Sequence, residues 1–350
     1  LLVALAAAYF WVPFVLDRAY MNRSVWEEPG KYDAYGAGWV LGTLARGELF
    51  DFGRLPVLTL LVVVGLGVCL WRWREERYRV PAALFVFWLL PYFGRPTWGV
   101  LLNLLPLSQD LHLHRLISGV HLAGIYLAGL GLALPLGWAL SRARGSPRRG
   151  RLYLLAAGAL LALLLVPLLV ERRAYLARNA AWMEESRAAL AAEEPELAAL
   201  VAWLAAAPPG RVSAGRPANW GGDYRIGAAP VYALLQRAGF DMLGYLYHAL
   251  SPNADVQVLF DESRPEHYDL FNVRYVVAPA GRAFPDFVRP VADYGRHRLY
   301  QVETSGYFDL VASDLAFAGD RDAFYPAASA WLASFLPAVK QHPANDLGGQ

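Results

Sequence analysis

The chain has 350 residues, of which 56% are apolar and 18% charged, and its mean hydropathy is +0.28. A soluble domain is usually about 45–50% apolar and about 25% charged, and the net charge of this chain is only +2. These values exclude a disordered chain, a simple soluble enzyme and a nucleic-acid-binding protein built on a basic patch. They indicate a membrane protein with a water-soluble part, because the apolar residues collect in uncharged runs in the first half.

Residues 1–170 predict a polytopic α-helical membrane bundle. A helix needs about 20 apolar residues to cross the hydrocarbon core of a bilayer. The chain opens on Leu1, already inside an apolar run, so we expect a fragment with further spans upstream. Gly94, Arg95 and Pro96 interrupt one run and predict a broken or re-entrant piece there. The expected spans lie near residues 1–16, 55–71, 81–107 (the broken one), 116–140 and 152–170.

The arginines predict the orientation of the spans. Residues 71–79 and 141–151 are short and rich in Arg, so both are expected on the cytoplasmic side,. By parity, the loop 17–54, the turn 110–115 and the chain beyond residue 170 lie outside the cytoplasm. Arg greatly outnumbers Lys in this chain, a usage typical of GC-rich bacterial genomes. We therefore expect a bacterial inner-membrane protein with an extracytoplasmic C-terminal part.

The second half has the composition of a soluble domain. Residues 171–207 continue the last span as a helical stalk, in which Pro195 is expected to begin a new helix,. Residues 208–350 predict a small α/β (α+β) domain. Its expected strands are 211–214, 271–278, 288–293, 298–302 and 307–312, and its expected helices are 230–238, 241–250 and 322–335.

The first candidate site is the run Asp110, His112, His114 and Arg115, where an external turn enters a span. Ionisable groups at this depth are costly and suggest a function. Asp and two His are ligand types for a divalent ion, which makes His112 and His114 candidate metal ligands. Alternatively, Arg115 and Arg95 contact the phosphate of a lipid-linked donor, since the Arg fork matches phosphate oxygens. The third interpretation is an interfacial turn whose polar residues lie among lipid headgroups.

The second candidate site is the Gly-rich segment around Trp220, Asp223 and Tyr224. A Trp ring and a carboxylate are a common sugar-binding pair; the alternative is a surface turn anchored by the Trp. In the loop 32–51, Asp33 is a further candidate carboxylate. The chain has no P-loop, no nucleophile elbow, no HExxH and only one Cys,.

Four stretches carry a resemblance to a family: WVLGTLARGELFDFGRLPVLTLLVVVGL, FGRPTWGVLLNLLPLSQDLHLHRLISGVHLAGIYLAGLGL, LFNVRYVVAPAG and GRHRLYQVETSGYF. Over about residues 8–340 the chain resembles large bacterial membrane proteins called YfhO-like or, by domain name, related to 6-pyruvoyl-tetrahydropterin synthase. These proteins are similar to GT-C glycosyltransferases. The resemblance implies many membrane helices, an active site on the outer face, a polyprenyl-phosphate sugar donor and a C-terminal periplasmic domain. GT-C enzymes carry their key acidic residues in the first external loop, which is expected upstream of residue 1.

The leading hypothesis is therefore the C-terminal part of a GT-C-like glycosyltransferase that modifies a cell-envelope glycan. Arg95 and Arg115 are expected to hold the donor phosphate, while Asp110 and the two histidines orient the sugar or bind a divalent metal ion. The segment with Trp220, Asp223 and Tyr224 is expected to contact the acceptor. The alternative is a non-enzymatic membrane transporter, or an assembly scaffold with a periplasmic interaction domain.

Overall fold

The computed structural model describes residues 2–105, 108–145, 147–244, 251–311 and 313–346. Of the described residues, 62% are helical; they include two long apolar helices and a small α/β region towards the C-terminus. It divides into two units. One unit combines Leu1–Trp26 with Tyr175–Gln350, and the other is Glu27–Ala174.

The expected first span, residues 1–16, is helical but interrupted. Helix α1 (Leu2–Ala6) and helix α2 (Ala8–Leu16) are separated at Ala7. A 3-10 turn over Arg18–Tyr20 follows α2.

Short helices open the Glu27–Ala174 unit and longer apolar helices follow. The short ones are α3 (Pro29–Asp33), α4 (Ala37–Ala45) and α5 (Glu48–Asp51). They precede α6 (Val57–Trp71), α7 (Glu76–Tyr92), α8 (Arg95–Trp98) and α9 (Ile117–Gly145), with 3-10 turns over Gly99–Leu104 and Leu113–Leu116.

Helices α6, α7 and α9 enclose the core of this unit, and glycines let α6 and α9 approach backbone to backbone. A Cβ on Gly65 would lie 1.9 Å from the carbonyl oxygen of Leu127, and one on Gly131 would lie 2.1 Å from that of Leu61. Small residues commonly allow such contacts between apolar helices. The side chains buried among these helices include Val62, Cys69, Phe85, Val120 and Leu127.

Within the described residues, two helices have the length and composition to cross a bilayer, Leu113–Gly145 and Gly150–Ala206. They contain the predicted spans 116–140 and 152–170. Helix α6 is apolar but has only 15 residues, fewer than the roughly 17 that a span needs. The predicted break within 81–107 is present, because α7 ends at Tyr92 and Gly94 adopts a φ of +70°.

The predicted stalk is one continuous helix with the last span. Helix α10 (Pro147–Ala206) has 60 residues. The expectation that Pro195 begins a new helix is therefore wrong. Leu200 and Leu204 are buried against the following domain. This packing offsets the hydrogen bond that the proline nitrogen cannot donate within the helix.

The C-terminal part is a four-stranded mixed sheet with small helices around it. Strand β1 (Arg211–Ser213) pairs in parallel with β4 (Val273–Pro279), next to the antiparallel hairpin of β5 (Arg289–Tyr294) and β6 (His297–Gln301), in the order β1-β4-β6-β5. The small pairs are β2 (Arg225–Ile226) with β3 (Ala229–Pro230), and β7 (Ala316–Ala318) with β8 (Ala344–Asp346). The helices are α11 (Val231–Arg237), α12 (Pro252–Gln257), α13 (Pro265–Leu270) and α14 (Arg321–Ala333).

Two element predictions in this domain are wrong where the structure describes them. No helix begins at Asp241, because Met242 bridges to Val212 beside the sheet; residues 245–250 of that prediction lie outside the described residues. Residues 307–311 form no strand, and Leu310 is fully exposed there. Ala312 also lies outside the described residues.

Candidate functional site

Three elements of the Glu27–Ala174 unit assemble a polar cluster. They are helix α3, helix α8, and residues 108–116 at the start of the long apolar helix. The cluster contains Arg95, His112, His114 and Arg115, together with Glu27, Lys31 and Asp33 from the α3 region. The structure thus connects Arg95 and His114 to helix α3 and places His112 beside His114.

Arg95 forms the structural centre of the polar cluster. Its Nε lies 3.2 Å from Oδ1 of Asp33, and its Nη2 donates a 2.7 Å hydrogen bond to the carbonyl oxygen of Ser108. Its Nη1 donates to Oδ1 of Asn103 at 3.4 Å. Most of the guanidinium fork that would hold a phosphate is therefore already used to connect helix α3 to Asn103 and Ser108.

His114 is also held by α3. Its Nδ1 lies 2.7 Å from the carbonyl oxygen of Lys31, and a carbonyl can only accept, so Nδ1 carries the proton. In the neutral imidazole, Nε2 then remains an acceptor or a ligand. Lys31 itself forms an ion pair of 2.5 Å with Glu27.

His112 lies beside His114 in a desolvated position. Its ring packs edge-on against Tyr32, with centroids 4.5 Å apart, and lies 5.7 Å from the His114 ring. Burial and then the positive charge of Arg115 lower the pKa of His112. The imidazole is therefore neutral near pH 7, and Arg115 belongs to its electrostatic surroundings.

Asp110 and Arg115 differ in exposure. Asp110 is buried and has interactions of its own, whereas the Arg115 side chain is exposed. Arg115 is thus the charged member of the cluster that a solvent-borne or headgroup phosphate reaches without rearrangement.

In the part of the chain that it describes, the structure adds no third protein ligand to His112 and His114 for a metal ion. Among the described residues, no group of three or more His, Cys, Asp or Glu is arranged to hold a metal ion. His112 and His114 alone supply two imidazoles. A divalent ion would need further ligands from water or substrate, since such ions usually take four or more.

The Trp220 segment faces the fold rather than solvent. Nε1 of Trp220 donates a 2.7 Å hydrogen bond to Glu262, and the guanidinium of Arg282 lies 4.6 Å from the Trp220 ring centre. The Trp220 ring is thus covered by its own domain, as expected for an anchored turn. Asp223 is exposed. The structure therefore does not bring Trp220 and Asp223 together as a free sugar platform.

Tyr224 takes part in a buried polar chain that the sequence did not reveal. Its hydroxyl lies 2.5 Å from Nδ1 of His297, and Nε2 of His297 lies 2.9 Å from the Glu193 carboxylate on α10. Burial raises the pKa of Tyr224, so the phenol stays protonated and donates to Nδ1. Both ring nitrogens of His297 are thereby satisfied, and the chain links strand β6 to helix α10.

A second buried contact joins distant parts of the same unit. The Asp255 carboxylate accepts 2.7 Å hydrogen bonds from the Asn22 amide and the Ser24 hydroxyl, and all three side chains are buried. Arg321 donates to the carbonyl oxygen of Met21. The segment 21–26 is therefore docked on the C-terminal domain, which no local sequence signal predicts.

Comparison of the chain with protein-family models, curated proteins and solved structures gives no match. The functional interpretation therefore depends on the chemistry of these residues.

Proposed function

We propose that the chain is part of a GT-C-like membrane glycosyltransferase and binds the phosphate of a polyprenyl-phosphate-linked sugar at the polar cluster. The observation that carries the proposal is that Arg95, His112, His114 and Arg115 lie around helix α3 at the start of a bilayer-length apolar helix. Asp110 is buried in the turn that carries the two histidines. At this depth a lipid phosphate and an Arg side chain meet at headgroup level.

The roles follow from exposure and existing contacts. Arg115 is exposed and supplies the fork for phosphate oxygens,. Arg95 is a positioning residue, because its hydrogen bond to the Ser108 carbonyl fixes the loop that carries the histidines. In its neutral form, His114 offers Nε2 as an acceptor for a sugar hydroxyl.

The contact of Asn22 and Ser24 with Asp255 supports the expected topology. Residues in such contact lie on one side of a bilayer. This agrees with the expectation that the loop after the first apolar run and the C-terminal domain are both extracytoplasmic, where a GT-C enzyme works.

The test is binding of a fluorescent polyprenyl phosphate to the full chain in lipid nanodiscs. A charge-assisted hydrogen bond contributes about 1.5–3 kcal/mol, so Arg115→Ala should weaken binding by about tenfold or more. Arg142→Ala, near the other end of α9, is the matched control and should bind within about twofold of the unchanged chain. If Arg115→Ala binds the polyprenyl phosphate as tightly as the unsubstituted chain, Arg115 does not bind the phosphate.

The scaffold alternative rests on one observation. Trp220 and Tyr224 form hydrogen bonds within their own domain. This arrangement suits a rigid interaction domain better than a site that binds an acceptor sugar. If the chain without substitutions binds no polyprenyl phosphate in the nanodisc experiment, the scaffold alternative is favoured.

A further inference from the structure

A cavity of about 670 Å³ lies in the C-terminal domain, between α14, α12 and the β7–β8 pair. This volume falls within the roughly 300–1,000 Å³ of typical ligand pockets. We call it the α14 cavity. Its apolar walls include Val256, Phe317, Phe324, Ala327, Ala328 and Trp331.

The walls of the α14 cavity are fixed by polar contacts behind them. Nε1 of Trp331 donates a 2.8 Å hydrogen bond to the carbonyl oxygen of Gln341. Arg264 donates to the carbonyl oxygens of Leu332 and Ser334, at the end of α14. These hydrogen bonds hold the walls in place, and a preformed cavity reduces the entropy lost when a ligand binds.

The lining is electrically almost neutral. Among the lining residues that the structure describes, Arg211 is the only Lys, Arg, Asp or Glu. Its Nε already donates to Asp241 at 3.0 Å. A buried phosphate or carboxylate would be costly without a partner, so the part of a ligand inside the cavity is uncharged.

Helices α12 and α14, which form walls of the cavity, also contact the segment 21–26 through side chains that do not line the cavity. Asp255 precedes Val256 on α12 and binds Asn22 and Ser24. On α14, Tyr325 packs edge-on against Trp26, with ring centres 6.4 Å apart. Met21 follows the apolar helix α2 by five residues, a reach of at most about 18 Å. The cavity walls are thus tethered close to an apolar helix.

We propose that the α14 cavity binds one hydrocarbon chain of a membrane lipid. Walls that are mostly apolar and whose described residues include no Lys, Asp, Glu or Arg other than Arg211, a preformed volume and the tether to α2 together favour this occupant over a polar metabolite. The site is separate from the polar cluster and takes a different part of a lipid. It shares with the proposed function only the location at a membrane.

The test uses the full chain in vesicles of phosphatidylethanolamine and phosphatidylglycerol. A trace phospholipid with a diazirine on one acyl chain is activated by light, and the labelled peptides are mapped by mass spectrometry. Labelling is expected within residues 313–346. Ala328→Trp fills the cavity and should reduce this labelling by about tenfold or more, and Ala327→Leu by about threefold, following the apolar volume added.

Ala333→Trp is the control, since Ala333 is exposed on α14 and outside the lining; it should keep full labelling. Thermal unfolding of each variant confirms that the domain is folded.

The proposal is overturned if the unsubstituted chain is not labelled, or if Ala328→Trp and Ala327→Leu are labelled as strongly as the unsubstituted chain. Labelling by a free diazirine fatty acid in vesicle-free buffer, without labelling by the phospholipid, would also overturn it. Arg115→Ala should keep full labelling here, so failure of the phosphate site and failure of this site are distinguishable.

Discussion

Gly94 shapes the backbone on which the polar cluster is built. Its φ of +70° lies in the left-handed region, and a Cβ there would lie 2.0 Å from the carbonyl oxygen of Asp33. Both features require glycine. The close approach places Asp33 beside Arg95, which follows Gly94 directly.

Gly94→Ala should therefore destabilise the fold by more than about 2 kcal/mol, from the strained φ plus the clash. Denaturant unfolding followed by Trp fluorescence measures this change. Gly38→Ala is the matched control, because a Cβ at Gly38 has no atom within 4 Å and the residue lies in helix α4. That substitution should be neutral or stabilise by up to about 1 kcal/mol. A Gly94→Ala variant as stable as Gly38→Ala would contradict the required close approach.

At the scale of elements, the chain Tyr224–His297–Glu193 fastens the sheet to helix α10. His297 is fully buried on β6, and Glu193 also accepts from Nε of Arg296 at 2.8 Å. His297 and Arg296, the turn residue that precedes it, thus share a single carboxylate on the helix. Glu193 lies on the same continuous helix α10 whose N-terminal half is apolar.

This attachment predicts a pH dependence of stability. Burial lowers the pKa values of both His297 and His267 below the ordinary value of 6.5. As pH falls, the unfolded chain therefore takes up protons before the folded chain does. Stability present at pH 7.5 should be lost progressively below about pH 6.5.

His297→Gln should reduce the loss of unfolding free energy between pH 7.5 and pH 5.5, leaving the part that His267 and His112 contribute. Tyr224→Phe is the comparison variant: it removes one hydrogen bond, of about 1 kcal/mol, but keeps the titrating ring and so the slope. Denaturant titrations at the two pH values measure both effects. An unchanged slope in His297→Gln would show that this imidazole does not couple folding to pH.

At the scale of the whole molecule, the order of segments along the chain determines which parts share a side of the membrane. Segment 21–26 and the C-terminal domain belong to one unit. The Arg-rich segments 71–79 and 141–151 are expected together on the opposite side,.

Reporter fusions to the full chain test this topology. Green fluorescent protein after Arg148 should fluoresce and alkaline phosphatase there should be inactive, because that segment is expected in the cytoplasm. After Gln350 the pattern should be reversed. The opposite pattern at both sites would invert the orientation.

Features that depend on nearby residues were predictable from the sequence. Long apolar runs predicted the helices that contain residues 116–140 and 152–170, since hydropathy and length are local properties,. The Val- and Tyr-rich run 271–278 predicted strand β4,. The break at Gly94 followed from Gly94 and Pro96, which are separated by one residue.

Interactions between distant residues were decided only by the tertiary structure. The contact of Asn22 with Asp255 spans 233 positions, and no local pattern encodes it. Helix α3 was missed as the support of the polar cluster, because five residues carry little helical periodicity. Pro195 was misread as a start, because packing outweighs the local preference of proline. The α14 cavity is the clearest case: an empty volume exists only where separate elements meet, so its apolar side chains resemble ordinary core in the sequence.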